Sequence, residues 1–414
     1  MVNKPQLKPV SNQGSAGYLG RALAICMVTL LLPAVAQERF KPADSAVILA
    51  PPVHTQLDRK GSLRALDQAW RAQPTDLQAS LAYARAVFML GLAEGDLRWF
   101  GSAKAALLPW WNATDLPAEG YFLRGLVKQG FHDFEAGLQD IHQAIAKEPR
   151  RAEFWSWRFI LHLLLADVTA AKQDIEEIAR YFGAEEAQVY RAVLLYRTGQ
   201  AQPAIGLLKT ALQAANFQDA SSQDWLAFHL GEAHRVAGQA NQAIAVWEKQ
   251  RKANPNSHLL RLSLAELLNQ QGKHLQAKAV ASAKAPTDAL LMQALLASRG
   301  LKDPDEARLA SQMDARLKSQ ALRQESLIER PKLIYWIAYD KDPAAGLALS
   351  IDNWKLQKEP PDAVLFIQAA LKTQQPRAAE PVVAWAEKTA YAEPQLTQLI
   401  QQLKAHPLWA GGGK

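Results

Sequence analysis

The chain has 414 residues, of which 49% are hydrophobic and 21% are charged, and it carries a formal net charge of +7 at pH 7. This hydrophobic content is sufficient for buried helix faces and argues against global disorder. The only cysteine, Cys26, lies in an apolar N-terminal stretch, so the rest of the chain has no disulfide and no cysteine ligand for a metal. The basic residues form no continuous run, and we therefore expect no nucleic-acid partner.

Residues 1–36 have the pattern of a secretory signal peptide. Three basic residues, the last of them Arg21, precede an uncharged apolar stretch over residues 22–36. This stretch is shorter than the ~20 residues that a membrane-spanning helix needs. Ala34-Val35-Ala36 has the small-x-small spacing of a signal-peptidase site, so we predict cleavage after Ala36, a periplasmic or secreted protein, and no integral membrane span after cleavage. An uncleaved membrane anchor is the alternative.

The next segments are irregular. Residues 37–61 contain Pro42, Pro51 and Pro52 and are predicted to form an extended lead-in segment. Residues 62–117 are predicted to form an N-terminal cap helix, which begins at Ser62, and an irregular helical repeat that ends in a loop at Trp110-Trp111.

A period of about 34 residues governs the following part of the chain. One small residue recurs with a mean spacing of (379 − 137)/7, about 34.6 residues, at Gly137, Ala171, Ala204, Ala243, Ala277, Ala307, Ala345 and Ala379. Within a period, apolar and small residues recur at helical spacing in two stretches, which predicts two short helices that pack face to face. Such short helices are marginal alone, so their stability must come from stacking on neighbouring repeats.

The unit that starts at Asp224 carries the pattern most fully, with Leu230-Gly231, His234, Gly238, Ala243, Trp247 and Pro255. This pattern resembles the tetratricopeptide repeat. The resemblance implies an all-α, right-handed α-solenoid of antiparallel helix pairs, regular over residues 118–312. Residues 313–332 are predicted to be a charged helical connector, 333–405 to be divergent C-terminal repeats, and 406–414 to be a flexible tail. Two segments of the divergent part echo each other 34 residues apart, Lys358-Glu359-Pro360 and Ala392-Glu393-Pro394.

No motif in the sequence indicates catalysis, a metal site or a cofactor. His229 and His234 are the closest histidine pair, but their separation of five residues places them about 140° apart on a helix and misses the zinc-protease spacing. We interpret both as packing residues and the acidic pairs Glu176-Glu177 and Glu185-Glu186 as solvated surface. We therefore predict that the protein is not an enzyme and uses neither a metal nor a cofactor.

The resemblance also implies that a ligand lies in the concave groove formed by the first helix of each pair. Transferred residue by residue, it predicts partner contacts from Tyr196, Arg197, Trp225, Phe228, Glu232, Arg235, Glu266, Asn269 and Gln270. Aromatic, Arg and Glu side chains together suit an extended peptide or protein segment. We therefore predict a non-catalytic periplasmic scaffold that binds an envelope protein or peptide, as part of an assembly or secretion machine.

The alternative is a carbohydrate-binding component of polysaccharide export or cell-wall handling. It depends on Trp110 and Trp111, because aromatic rings exposed in a loop can stack on sugars or anchor a partner. Packing over the irregular first repeat is the other explanation for this pair.

Overall fold

The computed structural model describes residues 57–282, 287–322 and 330–410, and all regular elements in these ranges are helices. The predicted signal peptide and residues 37–56 of the lead-in segment lie outside the described residues. The helices of the N-terminal half are α1 Leu57–Ala72, α2 Leu77–Glu94, α3 Arg98–Leu107, α4 Ala118–Gly130, α5 Phe134–Lys147, α6 Ala152–Leu164, α7 Val168–Phe182, α8 Ala184–Arg197 and α9 Ala201–Ala211. Those of the C-terminal half are α10 Ala220–Val236, α11 Ala240–Ala253, α12 His258–Gln270, α13 His274–Ser282, α14 Asp288–Leu301, α15 Asp305–Leu322, α16 Arg330–Ile337, α17 Pro343–Leu356, α18 Pro360–Lys372, α19 Glu380–Thr389, α20 Pro394–Ala405 and α21 Pro407–Ala410.

These helices form a solenoid of consecutive pairs. From α2/α3 to α14/α15, and again at α16/α17, each helix packs on the next one along the chain, and first helices such as α8, α10, α12 and α14 also contact one another. The first helices therefore form an inner layer and the second helices an outer one. The predicted all-α solenoid of helix pairs is confirmed.

Small residues allow the two helices of a pair to approach closely. A Cβ atom built on Gly231 of α10 would lie only 2.0 Å from Nε1 of Trp247 on α11. That indole N–H donates a hydrogen bond to the carbonyl of Phe228, at 3.2 Å. The repeat pattern of a glycine on one helix and a large aromatic on the other is thus a packing requirement.

The ends of the array differ from the sequence-based expectations. Helix α1 begins at Leu57 rather than at Ser62, since Gly61 faces open space and is tolerated inside the helix. The predicted connector 313–332 is divided between α15 and α16, with residues 323–329 outside the described ranges. Residues 407–410, predicted to lie in a flexible tail, form α21, where the Trp409 ring lies 5.3 Å from the Arg377 guanidinium carbon.

The solenoid winds tightly enough for distant repeats to touch. Gly95, after α2, lies against the His258 ring at the start of α12, 163 residues later. Arg197 pairs with Glu359 across 162 residues and Arg235 with Glu393 across 158. These three contacts span 158 to 163 residues, and the backbone hydrogen bond from Lys358 to Leu164 spans 194, so successive superhelical turns touch about 4.6 to 5.6 periods of 34.6 residues apart.

Candidate functional site

The nine residues predicted to contact a partner lie on three consecutive inner helices, α8, α10 and α12. Their three aromatic members are buried: Tyr196 is 3% exposed, Trp225 is 1% exposed, and Phe228 is 9% exposed. The Tyr196 hydroxyl and Nδ1 of His229 form a hydrogen bond of 2.7 Å, and the Trp225 ring packs edge-on against His229. These rings fill the space between adjacent inner helices, which leaves little of their surface open to a partner.

The two predicted arginines are engaged within the chain. Arg197 Nη2 lies 3.0 Å from Glu359 Oε1, and Arg235 binds Glu232 at 2.8 Å and also Glu393. Burial disfavours both guanidinium charges, but the facing carboxylates outweigh it and raise the pKa of each arginine above its ordinary value. Both arginines therefore stay charged in a nearly dry environment.

Sequence reasoning did not identify the carboxylates that face these arginines. Glu359 and Glu393 are the residues that precede the helix-starting Pro360 and Pro394. Glu393 also accepts a hydrogen bond of 2.8 Å from the buried Tyr391 hydroxyl. The 34-residue echo of the two Glu-Pro segments was the only sequence signal for them.

The predicted residues of α12 are less enclosed. Glu266 is half-buried and makes no hydrogen bond or ion pair with any described residue; burial raises its pKa to about 7, although Arg330 opposes the shift. The Asn269 amide donates to the backbone carbonyl and the side-chain oxygen of Gln293, at 2.9 and 3.0 Å. Gln270 is exposed. This end of the predicted groove is the part that a partner can reach.

A third ion pair lies near the two turn-spanning pairs. Arg330 binds Asp362 at 2.9 Å, close to Glu266. A depression of about 340 Å³ opens beside the Arg235 contact, between Val236 and Pro394.

A second charge cluster lies on the N-terminal repeats. Arg85 binds Glu119 at 2.5 Å and Glu153 at 2.9 Å, and Arg151 binds Glu119 at 2.9 Å. Glu186 continues this row of repeat-equivalent carboxylates, but its Oε1 atom has no hydrogen-bonding partner in the described part of the chain. Glu186 is only 8% exposed, and burial raises its pKa to about 7.

The predicted aromatic pair is anchored to the irregular first repeat. Trp110 and Trp111 are half-buried and pack against the core. Their carbonyls, together with that of Ala113, accept hydrogen bonds of 2.8 to 3.0 Å from Nη1 of Arg124, which is bound to the buried Asp140 at 2.6 Å. Partner or sugar contact by the two rings stays a prediction.

The two histidines considered as metal ligands are packing residues. His229 is fully buried against Tyr196, and Nδ1 of His234 lies 2.6 Å from Oε1 of Gln239. Burial lowers the pKa of both rings, which favours their neutral forms. Within residues 57–282, 287–322 and 330–410, no three His, Cys, Asp or Glu side chains come together as a potential metal site. In the same ranges no helix combines the length and apolar character that a membrane crossing requires.

Comparisons with known proteins leave the family open: no family model and no curated protein matches the chain. Several solved structures resemble it in part. A Rap protein complexed with Competence and Sporulation Factor is 14% identical, covers 84% of this chain and 97% of its own, and has a TM-score of 0.46. Yeast Tom70 is 14% identical, with coverages of 85% and 86% and a TM-score of 0.41. A tetratricopeptide repeat protein from Parabacteroides merdae is 16% identical, with coverages of 58% and 92% and a TM-score of 0.41. The solenoid fold is established by the described helices themselves. Similarities at these TM-scores do not indicate a function for this chain.

Proposed function

We propose that the protein is an exported, non-catalytic scaffold that binds an extended protein or peptide segment of the cell envelope within an assembly or secretion machine. Of the nine residues predicted from the sequence, the partner contacts lie at the α12 end of the inner face, at Glu266, Asn269 and Gln270, because the three aromatic residues are buried and the two arginines are engaged within the chain. The signal-peptide pattern of residues 1–36 supports export, with cleavage after Ala36. Intact-mass measurement of the exported protein tests this part, because cleavage there leaves Gln37 as the first residue.

One observation carries the choice of site. Glu266 is a half-buried carboxyl group on the inner face that makes no hydrogen bond or ion pair with the residues that the structure describes, and it lies one helical turn from the exposed Gln270. Burying a polar group without a hydrogen bond is unfavourable, so a donor from a bound segment would stabilise this position. A carboxyl group that can accept a hydrogen bond at this position favours a segment that supplies a donor, such as a basic side chain.

The test is in-cell photo-crosslinking from position 270. A photoreactive residue at Gln270 is compared with one at Gln276, an exposed glutamine on the outer helix α13 of the same repeat. We expect one dominant envelope protein to be captured from position 270 and not from 276. Equal capture from both positions, or no capture by a folded and exported protein, would contradict an inner-face site.

The carbohydrate alternative has no comparable support. Lys104 lies 5.3 Å and Lys128 5.9 Å from the centre of the Trp111 ring, and hydrogen bonds from Arg124 fix the loop. Ring faces next to cations are less available for stacking on a sugar. Titration of the protein with oligosaccharides, followed by tryptophan fluorescence and compared with a Trp110→Ala/Trp111→Ala variant, tests this alternative directly.

A further inference from the structure

Two corners of the C-terminal repeats have the same construction. In each, a glutamate precedes a proline that starts an inner helix: Glu359-Pro360 before α18 and Glu393-Pro394 before α20. Proline at the first helical position has a backbone φ already suited to the helix, so it fixes where the helix starts and where the preceding glutamate is held. We call these two segments the proline corners.

Each proline corner meets an equally regular corner one superhelical turn earlier. Arg197 is the last residue of α8, and Arg235 is the second-to-last residue of α10. A glycine with positive φ follows each arginine: Gly199 at +78° and Gly238 at +75°. We call these segments the arginine corners. Arg197 binds Glu359 and Arg235 binds Glu393, so two similar pairs form, from arginines at the ends of consecutive inner helices.

The backbones at these corners fit as closely as the charges do. A Cβ atom on Gly199 would lie 2.4 Å from the Ala390 carbonyl oxygen, and one on Gly238 would lie 3.3 Å from Pro394 Cγ. The Lys358 amide N–H donates a hydrogen bond of 2.8 Å to the carbonyl of Leu164 at the end of α6. The contact therefore combines ion pairs, a backbone hydrogen bond and van der Waals packing over three consecutive inner helices.

Both ion pairs are largely removed from water. The exposed side-chain fractions are 11% and 10% for Arg197 and Glu359, and 16% and 3% for Arg235 and Glu393. Removing one member of such a pair leaves a buried charge without compensation, which is strongly unfavourable. The charged groups are therefore stable when the two corners are in contact and the ion pairs are formed, or when the corners are apart and water surrounds each charge. A partly separated contact is unfavourable, because it leaves charges that are neither paired nor hydrated.

From this geometry we infer that the C-terminal repeats act as an internal ligand. The two proline corners occupy the two arginine corners and hold successive turns of the solenoid closed. In the open form Arg197 and Arg235 are released, and with them the corner edges of α8 and α10. This inference depends only on contacts within the chain and does not depend on the proposed function.

Charge reversal tests whether the proline corners hold the successive turns together. Glu359→Arg/Glu393→Arg places four guanidinium groups at the corners and should open the solenoid. We expect a larger maximum dimension by small-angle X-ray scattering and at least about tenfold faster amide hydrogen exchange at residues 198–200 and 237–239, because a buried ion pair is lost at each corner. Adding Arg197→Glu/Arg235→Glu to the same chain restores opposite charges and should restore both quantities.

Matched controls separate the loss of the two corner ion pairs from the change in net charge. Glu380→Arg/Glu387→Arg makes the same change in charge on two exposed glutamates of α19 and should alter neither quantity. If the reversal variant does not fold, Glu359→Gln/Glu393→Gln removes the same two charges with nearly unchanged shape. Unchanged dimension and exchange in a folded variant would overturn the inference, as would opening that the fourfold swap does not reverse.

Discussion

In the N-terminal repeats Arg85 pairs over one or two repeats, whereas in the middle repeats Arg197 and Arg235 pair across a whole superhelical turn. Arg85 reaches Glu119 and Glu153, which are 34 and 68 residues away. Arg197 and Arg235 reach carboxylates 162 and 158 residues away. The first kind of pair joins repeats that already stack, and the second determines how the stack is wound. The same residue types thus stabilise neighbouring contacts in one region and overall shape in another.

The largest expected effect concerns a buried pair within one repeat. Arg124→Met removes the donor that three loop carbonyls share and one of the two cations at the buried Asp140, the other being Lys128 at 2.8 Å, so we expect a loss of about 3 kcal/mol in the free energy of unfolding. Urea unfolding measures it. Lys147→Met is the control, since its pair with Asp115 is exposed and should be worth about 0.5 kcal/mol or less. A small effect of Arg124→Met would show that local pairs are as dispensable as surface ones.

A substitution that disturbs the packing between the two helices of one pair should have the next largest effect on stability. Gly231→Ala forces a methyl group against the Trp247 indole, and we expect it to cost about 1–3 kcal/mol in the free energy of unfolding. Gly206→Ala is the control, because nothing lies within 4 Å of a Cβ built at that helical position. There the substitution should stabilise by up to about 1 kcal/mol. Equal effects at both glycines would contradict the claim that the repeat needs a glycine opposite the large aromatic residue for packing.

The row of carboxylates on the N-terminal repeats gives a pH-dependent prediction. Burial raises the pKa of Glu186 from 4.5 to about 7, so folding favours its protonated form. Stability contributed by that protonated form is present below pH 4.5 and is lost as pH rises toward 7. Glu186→Gln should therefore stabilise the protein at pH 8, by on the order of 2 kcal/mol, and have little effect at pH 4.

Urea unfolding at the two pH values checks the Glu186 prediction. Glu185→Gln, at the exposed neighbouring position, should change stability little at either pH. A stabilisation that is the same at pH 4 and pH 8 would mean that ionisation of Glu186 is not its cause.

The smallest expected effect concerns the geometry of a turn-spanning ion pair. Arg197→Lys keeps the positive charge but loses the planar guanidinium group, so the closed contact should weaken by about 1 kcal/mol or less. Amide exchange at residues 198–200 reports the change, while exchange in α4 and α5 should stay constant. Arg191→Lys, at an exposed position of the same helix, is the comparison. Faster exchange throughout the chain would indicate general destabilisation instead.

Local features of the fold were predictable from the sequence because they repeat. The Gly231–Trp247 contact and the helix pairs follow from residue types at fixed spacing. The winding was not predictable, since it is the sum of small rotations over more than four repeats and no single position encodes it. For the same reason the sequence placed Tyr196 and Trp225 in an open groove, whereas adjacent inner helices approach closely enough to bury them.

Of the candidate site, the sequence identified only one side of each turn-spanning pair. Arg197 and Arg235 occupy consensus groove positions, and their partners occupy corners in the part of the chain where the repeat pattern is weakest. The echo of Glu359-Pro360 in Glu393-Pro394 was visible, but its meaning required knowing which repeats lie one turn apart. The repeat period alone does not give the number of repeats in one superhelical turn.

The separation of about 160 residues between touching corners also restricts how this gene can change. Solenoid proteins commonly gain and lose repeats by duplication or deletion of a unit, since each unit contacts only its neighbours. Here, duplication of one 34-residue unit between Arg235 and Glu359 would lengthen the spacing of both pairs and carry each glutamate one repeat past its arginine. Copy number in this interval is therefore fixed by the need to close the turn, and the Gly95–His258 contact places the same restriction on the units between residues 95 and 258.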